Sequence, residues 1–139
     1  MLGDQHVKVL QQISVFLENR PGQLSALAAA LAERGVNLRA LSIAETDRFG
    51  IARLITDSNE TALAALHEAG MTAAVTDVVG VEVPDRPGGL AHLLAVFDGV
   101  VSVEYMYAAF PGSGGRRVLI MKLTPVDVAL AELEALYQE

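Results

Sequence analysis

The residues best suited to chemistry occur in one short stretch that the chain carries twice. Asn19-Arg20-Pro21-Gly22-Gln23-Leu24 returns 66 positions later as Asp85-Arg86-Pro87-Gly88-Gly89-Leu90. Each copy follows an apolar run, Ile13 to Leu17 or Val79 to Val83, and each opens a segment with the apolar spacing of a helix. In that place Pro21 and Pro87 fix φ where a missing N–H costs little. Gly22 and Gly88 have no Cβ, so a ligand or another backbone can come close. The first N–H groups of a helix lack intrahelical partners and sit at the positive end of its dipole, which suits a carboxylate. Asn19 and Asp85 could cap the helix or hold an ammonium or amide. An α-amino acid carries both charges and fits that chemistry. A tight strand-to-helix turn with an Asx cap would use the same residues, and residue types alone do not separate the two readings.

Other chemistry has less support. His6, His67 and His92 are isolated, never at metal-ligand spacing, and read as surface histidines. Without cysteine there is no disulfide, thiolate zinc site or cysteine nucleophile. No Ser/His/Asp set stands out. Gly112-Ser113-Gly114-Gly115 lacks lysine and opens no helix, so it is not a phosphate loop. Arg116-Arg117 reads as a solvated hairpin end. No catalytic residue, metal or cofactor is therefore expected. A net charge of -7 and a pI near 4.9 disfavour nucleic acid and anionic membrane. The most apolar helical stretch, Leu24 to Ala32, is too short to span a bilayer. The start has neither the basic nor the apolar region of a secretion signal, and a cytoplasmic location is expected.

These stretches need elements to position them. Val7 to Leu17 reads as a strand. Leu24, Leu27, Ala28 and Leu31 lie on one helical face that Gly35 ends. Val36 to Thr46 and Ile51 to Thr56 are strands joined by a turn at Asp47 to Gly50. Asp57 and Glu60 look like a capping box for a second helix with Ala62, Leu63 and Leu66 inward. Thr72 to Val78 is a fourth strand, which runs without a linker into Val79 to Val83, and Gly80 is expected to take up a bend or bulge. The order then repeats: a helix with Leu90, Leu93, Leu94 and Phe97 inward, strands at Val101 to Phe110 and Arg117 to Leu123, and a last helix. Thr124 and Pro125 would start that helix as N-cap and first helical residue, with Val126, Leu130, Leu133 and Tyr137 facing inward. The reading is α+β: two tandem ferredoxin-like βαββαβ units, residues 1–78 and 79–139, the second lacking its last strand.

At the level of motif, Asn/Asp-x-Pro-Gly-x-Leu after a strand, followed by Gly35-Val36-Asn37-Leu38 or Val100-Val101-Ser102-Val103, resembles the ACT domain. That is the small ligand-binding module of amino-acid metabolism. Five further stretches, beginning at Gln12, Ala40, Phe49, Thr76 and Val103, resemble stand-alone bacterial tandem ACT proteins. The resemblance implies a regulatory or sensory fold that binds a free amino acid between paired ACT domains, with no catalysis of its own and an enzyme as a possible regulated partner. It implies a ligand site drawn from Asn19, Arg20, Pro21, Gly22, Gln23, Leu24, Asn37 and Leu38, and from Asp85, Arg86, Gly88, Gly89, Leu90, Val101 and Ser102. Ser102 stands where the first unit has Asn37, and the second hairpin is longer and richer in glycine. The two sites are therefore not expected to be equal.

The missing fourth strand leaves one edge of Val79 to Val83 open, a situation that folded proteins cover or blunt. The long first strand has spare length to cover it, in cis or from a second copy. A homodimer built by sheet extension or helix-face packing is expected. The alternative to a sensor is a dimerisation or docking protein that uses the ACT fold without a ligand.

Overall fold

Alternation along the first strand sets the plan of the molecule. In β1 (Val7–Glu18), Ile13, Val15 and Leu17 are buried while Phe16 and Glu18 are exposed, the period of two that gives a strand an inner and an outer face. The remaining elements are α1 (Gln23–Glu33), β2 (Leu38–Glu45), β3 (Phe49–Thr56), α2 (Asn59–Glu68), β4 (Thr72–Pro84), α3 (Gly89–Ala95), β5 (Ser102–Pro111), β6 (Arg116–Thr124) and α4 (Val126–Tyr137). They are seen in a computed structural model, which describes residues 6–45 and 48–137. Thr46, at the expected end of the second strand, and Asp47, in the expected hairpin turn, lie outside the described residues.

The chain divides into two compact units, one of Gln11–Thr76, the other of the chain up to Leu10 together with Asp77 onward. In the first, the strand order is β2-β3-β1-β4. β1 and β3 run antiparallel from Ile13↔Leu54 to Glu18↔Phe49, and β2 pairs with β3 from Leu38↔Thr56 to Glu45↔Gly50. Leu27 and Leu31 of α1 and Ala62 and Leu66 of α2 close over Ile13, Val15, Leu17, Ala52 and Leu54. This is the core that helical and strand periodicity place on facing surfaces. Gly35, at φ +69°, ends α1, as glycine does at C′.

The second unit repeats the plan with the order β1-β4-β6-β5. β4 pairs with β6 from Val79↔Met121 to Pro84↔Arg116, and Leu93, Phe97, Ala129 and Leu133 cover Val79, Val81 and Val83. This unit has no final strand of its own among the described residues. The lead of β1 takes that position: the Glu82 N–H donates to the His6 carbonyl at 2.8 Å, and Val7 packs on the core. The edge that the sequence left open is thus covered in cis. No bulge interrupts the pairing of β4 with β6 at Gly80, where the register is unbroken. The missing Cβ of Gly80 makes room for Leu10, whose Cδ1 would lie 2.7 Å from one.

Three other expectations are corrected. Leu24 and Leu90 are 40% and 42% exposed. Each lies in the first turn of its helix, ahead of the residues that reach the sheet. Val126 is likewise exposed at the start of α4. Asp57 does not cap α2; Ser58 is the N-cap residue. The Asp57 carboxylate instead accepts the Asn37 N–H at 2.9 Å. The Thr124 hydroxyl bonds the Glu104 carboxylate at the strand end before α4.

Leu27 has no exposed surface, so Leu27→Ala is expected to lose about 2–5 kcal/mol in urea denaturation. Leu24→Ala should lose far less. Equal losses would place Leu24 in the core after all.

Candidate functional site

The turn between β1 and α1 owes its form to one residue. Gly22 is the N-cap of α1 at φ +88° and ψ -10°, with no side-chain cap bond, so Asn19 is not the cap. A Cβ on Gly22 would meet nothing within 4 Å. Glycine is needed there for the sign of φ, which L-residues with a Cβ rarely adopt, and not for close approach. The Asn19 N–H donates to the Arg48 carbonyl at 2.7 Å, and the Gly22 carbonyl accepts the Ala26 N–H at 2.9 Å.

Beside this turn lies a cleft of about 190 Å³. Leu17, Leu24 and Ile43 supply apolar walls; Glu18, Asn19, Arg20 and Gln23 supply polar ones. Arg20 Nε lies 3.4 Å from Glu18 Oε2, both side chains more than half exposed. With its amide oxygen turned toward Arg20, Gln23 accepts from Nε at 3.2 Å and Nη2 at 2.9 Å. Glu18, Arg20 and Gln23 also border a recess of about 220 Å³ that reaches Phe16 and the Gly70–Thr72 segment. A cation, an anion and an amide over an apolar floor can hold a small zwitterion: its carboxylate on the guanidinium, its ammonium on the carboxylate. Sequence reading missed Leu17, Glu18, Ile43 and Gly50 as lining residues. Glu18 had a visible signal, a carboxylate next to the motif, whereas Ile43 and Gly50 reach the cleft only through pairing across the sheet.

The second turn has the same backbone and different surroundings. Gly88 is the N-cap of α3 at φ +87° and ψ -12°. Asp85 does not cap the helix either; Arg117 holds its Oδ2 through Nε at 3.4 Å and Nη2 at 3.3 Å. The Asp85 N–H donates to the Gly115 carbonyl at 3.1 Å, so the glycine-rich hairpin sits on this turn. Close approach occurs at Gly89, where a Cβ would lie 2.3 Å from the Pro84 carbonyl oxygen. Arg117, read as a solvated hairpin end, is 41% exposed and pairs with the Asp85 carboxylate.

Not all the sequence candidates come together. Asn37 and Leu38 lie beside Thr56, while the Asn19 turn lies beside Phe49. Along β3 that separation is about 23 Å at about 3.3 Å per residue. Ser102 pairs with Thr124, whereas Pro84, which leads into the second turn, pairs with Arg116. In each unit the turn and the start of the second strand are at opposite ends of the sheet. Among the described residues no group of three or more His, Cys, Asp or Glu could hold a metal ion, and no helix is long and apolar enough to cross a membrane.

The sequence matches the family described as an ACT domain pair over residues 8–131. A crystal structure of a Bacteroides thetaiotaomicron protein is similar at 33% identity and TM-score 0.84, over 94% of this chain and 90% of that one. The ligand-free regulatory subunit of aspartate kinase from Thermus thermophilus shares the fold at 23% identity and TM-score 0.65, over 96% of each chain. E. coli aspartokinase III, in complex with lysine and aspartate, shares it at 15% identity and TM-score 0.56, over 95% of this chain and 31% of that one. No curated protein matches the sequence.

The two turns give a prediction that separates strain from crowding. Gly22→Ala meets no atom but forces a left-handed residue, a cost of about 1–2 kcal/mol. Gly89→Ala lies in a helix, where alanine is ordinarily better than glycine by about 1 kcal/mol, yet its Cβ would collide with the Pro84 carbonyl. Urea denaturation should show Gly89→Ala as the more damaging change. A stabilised Gly89→Ala would mean that the second turn yields easily.

Proposed function

The chain belongs to the ACT domain pair family, and on that footing we propose that it is a cytoplasmic regulatory protein that senses a free amino acid at its first turn. The observation that carries this reading is the cleft at Asn19–Leu24, where Arg20 and Glu18 offer opposite charges above Leu17, Leu24 and Ile43. The start of α1 adds its own positive end. The amino acid's carboxylate faces Arg20 and the α1 N-terminus, its ammonium faces Glu18, and its side chain lies on the apolar wall. The regulated partner is an enzyme of amino-acid metabolism. The chain itself works by binding, not by catalysis. Asp85, Arg86, Gly88, Gly89 and Leu90 form the weaker candidate, because Arg117 already occupies Asp85. Asn37, Leu38, Val101 and Ser102 would contribute only from a second copy.

A second copy has a surface to meet. β2 is an edge of its sheet, and Leu41 and Ile43 on it and Leu24 beside the cleft are exposed. A homodimer that extends the sheet through β2 would cover these side chains and bring a partner to the cleft. The same surface favours the second reading, a dimerisation module that needs no ligand.

A thermal-shift screen of the free amino acids tests the sensor, beginning with lysine and aspartate, the pair bound in the E. coli aspartokinase III structure. A ligand at a hundred times its Kd stabilises the folded chain by about 2.7 kcal/mol. A selective rise in Tm is expected, and Arg20→Ala should abolish it. A rise that survives both Arg20→Ala and Glu18→Gln would move the site elsewhere, and no rise with any amino acid would leave the dimerisation reading standing. Light scattering on wild type and Ile43→Lys tests the dimer. The expected result is twice 14.7 kDa for wild type and a shift toward one chain for the variant. A wild-type mass of one chain at every concentration would end that part of the proposal.

A further inference from the structure

Among the described residues one charged side chain is wholly buried, Glu82 on β4. Three segments of the second unit meet on it. His6, at the lead of β1, places Nδ1 3.0 Å from Glu82 Oε2. Ser113, in the loop between β5 and β6, donates its N–H to Oε1 and its hydroxyl to Oε2, each at 3.1 Å. Tyr137, at the end of α4, donates its hydroxyl to the Glu82 carbonyl, and its ring lies 5.1 Å from the His6 ring. Gly112 lies flat on the carboxylate: a Cβ there would be 2.7 Å from Oε1. An ionised carboxylate only accepts hydrogen bonds, and every group around this one can donate. A proton on Glu82 would turn one acceptor into a donor: the Ser113 hydroxyl can turn to accept it, but the carboxylate's hold on its other donors is weakened.

We propose that Glu82 is a proton-operated latch: its ionised carboxylate ties residues 6–10 to β4 as the fourth strand of the second unit, and its protonation lets them go. Loss of the His6 contact frees the stretch that covers Val79 to Val83. Burial by itself would raise the Glu82 pKa. The bonds from His6 and from the Ser113 amide and hydroxyl outweigh burial and hold it below the ordinary 4.5. The unfolded chain therefore takes up the proton first, and this contribution to stability, complete above 4.5, is lost as the pH falls through the lower folded value. The titratable and charged groups around Glu82 are His6 from β1, Tyr137 from α4 and Arg116 from β6. Burial pushes the Tyr137 hydroxyl up while Arg116 opposes it. Ser113 brings no charge. The unit of Gln11–Thr76 has no counterpart, because its buried polar side chain, Gln12, is neutral.

Amide hydrogen exchange by NMR on the full chain, corrected for intrinsic rates, tests the latch from neutral pH down past the ordinary glutamate value. Protection of Glu82 and of Val7 to Leu10 should fall on acidification before that of Ile13, Val15 and Leu54. Glu82→Gln should start with lower protection at these amides and show no further selective fall. Ser113→Ala, which keeps the carboxylate and removes one donor, should move the fall to higher pH. The proposal is overturned if the two sets of amides lose protection together, or if Glu82→Gln shows the wild-type fall. Should Glu82→Gln not fold, Ser113→Ala decides, and an unchanged pH for the fall rejects the latch.

Discussion

Each unit passes from its first strand to its first helix through a residue in the left-handed region, Gly22 at φ +88° and Gly88 at φ +87°. Few other residues accept that conformation, and the reversal it permits is what brings each helix back over its own sheet. Leu27 and Leu31 then reach Ile13 and Val15, and Leu93 and Phe97 reach Val79 and Val81. The same geometry leaves the first helical turn, with Leu24 or Leu90, outside the core. At the first turn that leaves an apolar wall beside Arg20. At the second, Arg117 pairs with Asp85 and Gly89 packs against the Pro84 carbonyl.

The two units also place charge differently, and the difference suits different work. Glu18 and Arg20 face solvent, where an ion pair contributes little net stability. Such a pair can be separated cheaply, and a zwitterion returns to each partner what it gave up. Glu82 has no solvent to fall back on, so its partners are fixed by the fold and their loss is felt in the strand they hold.

Much of this architecture is legible in the residues. The repeat, the alternation in β1 and the spacing of Leu27, Leu31, Leu93 and Phe97 announce two units of strands and helices, because burial imposes those periods locally. The turn is legible too, as Pro-Gly after a strand. The burial of Glu82 is not: alternation puts it on the face away from the helices, which in an isolated strand reads as solvent. Gly80 was legible as a special position but not in its cause, since Leu10 lies far from it in sequence. Asp57 looked like a cap because local spacing cannot reveal that Asn37 would claim its carboxylate. At the site, the motif marked Arg20 and Gln23, while Ile43 and Gly50 arrive through strand pairing that no short pattern encodes.

The unit of Gln11–Thr76 is, in chain order, an insertion within the other. Its strands and helices are all translated before β6 and α4 exist, so it can close while the rest is still being synthesised. His6 to Leu10, made before all of it, must wait for β4 before they have a strand to join. A segment made before the Gln11–Thr76 unit therefore completes a unit whose remaining elements are made after it. An alteration at residue 6 would be felt more than seventy residues downstream.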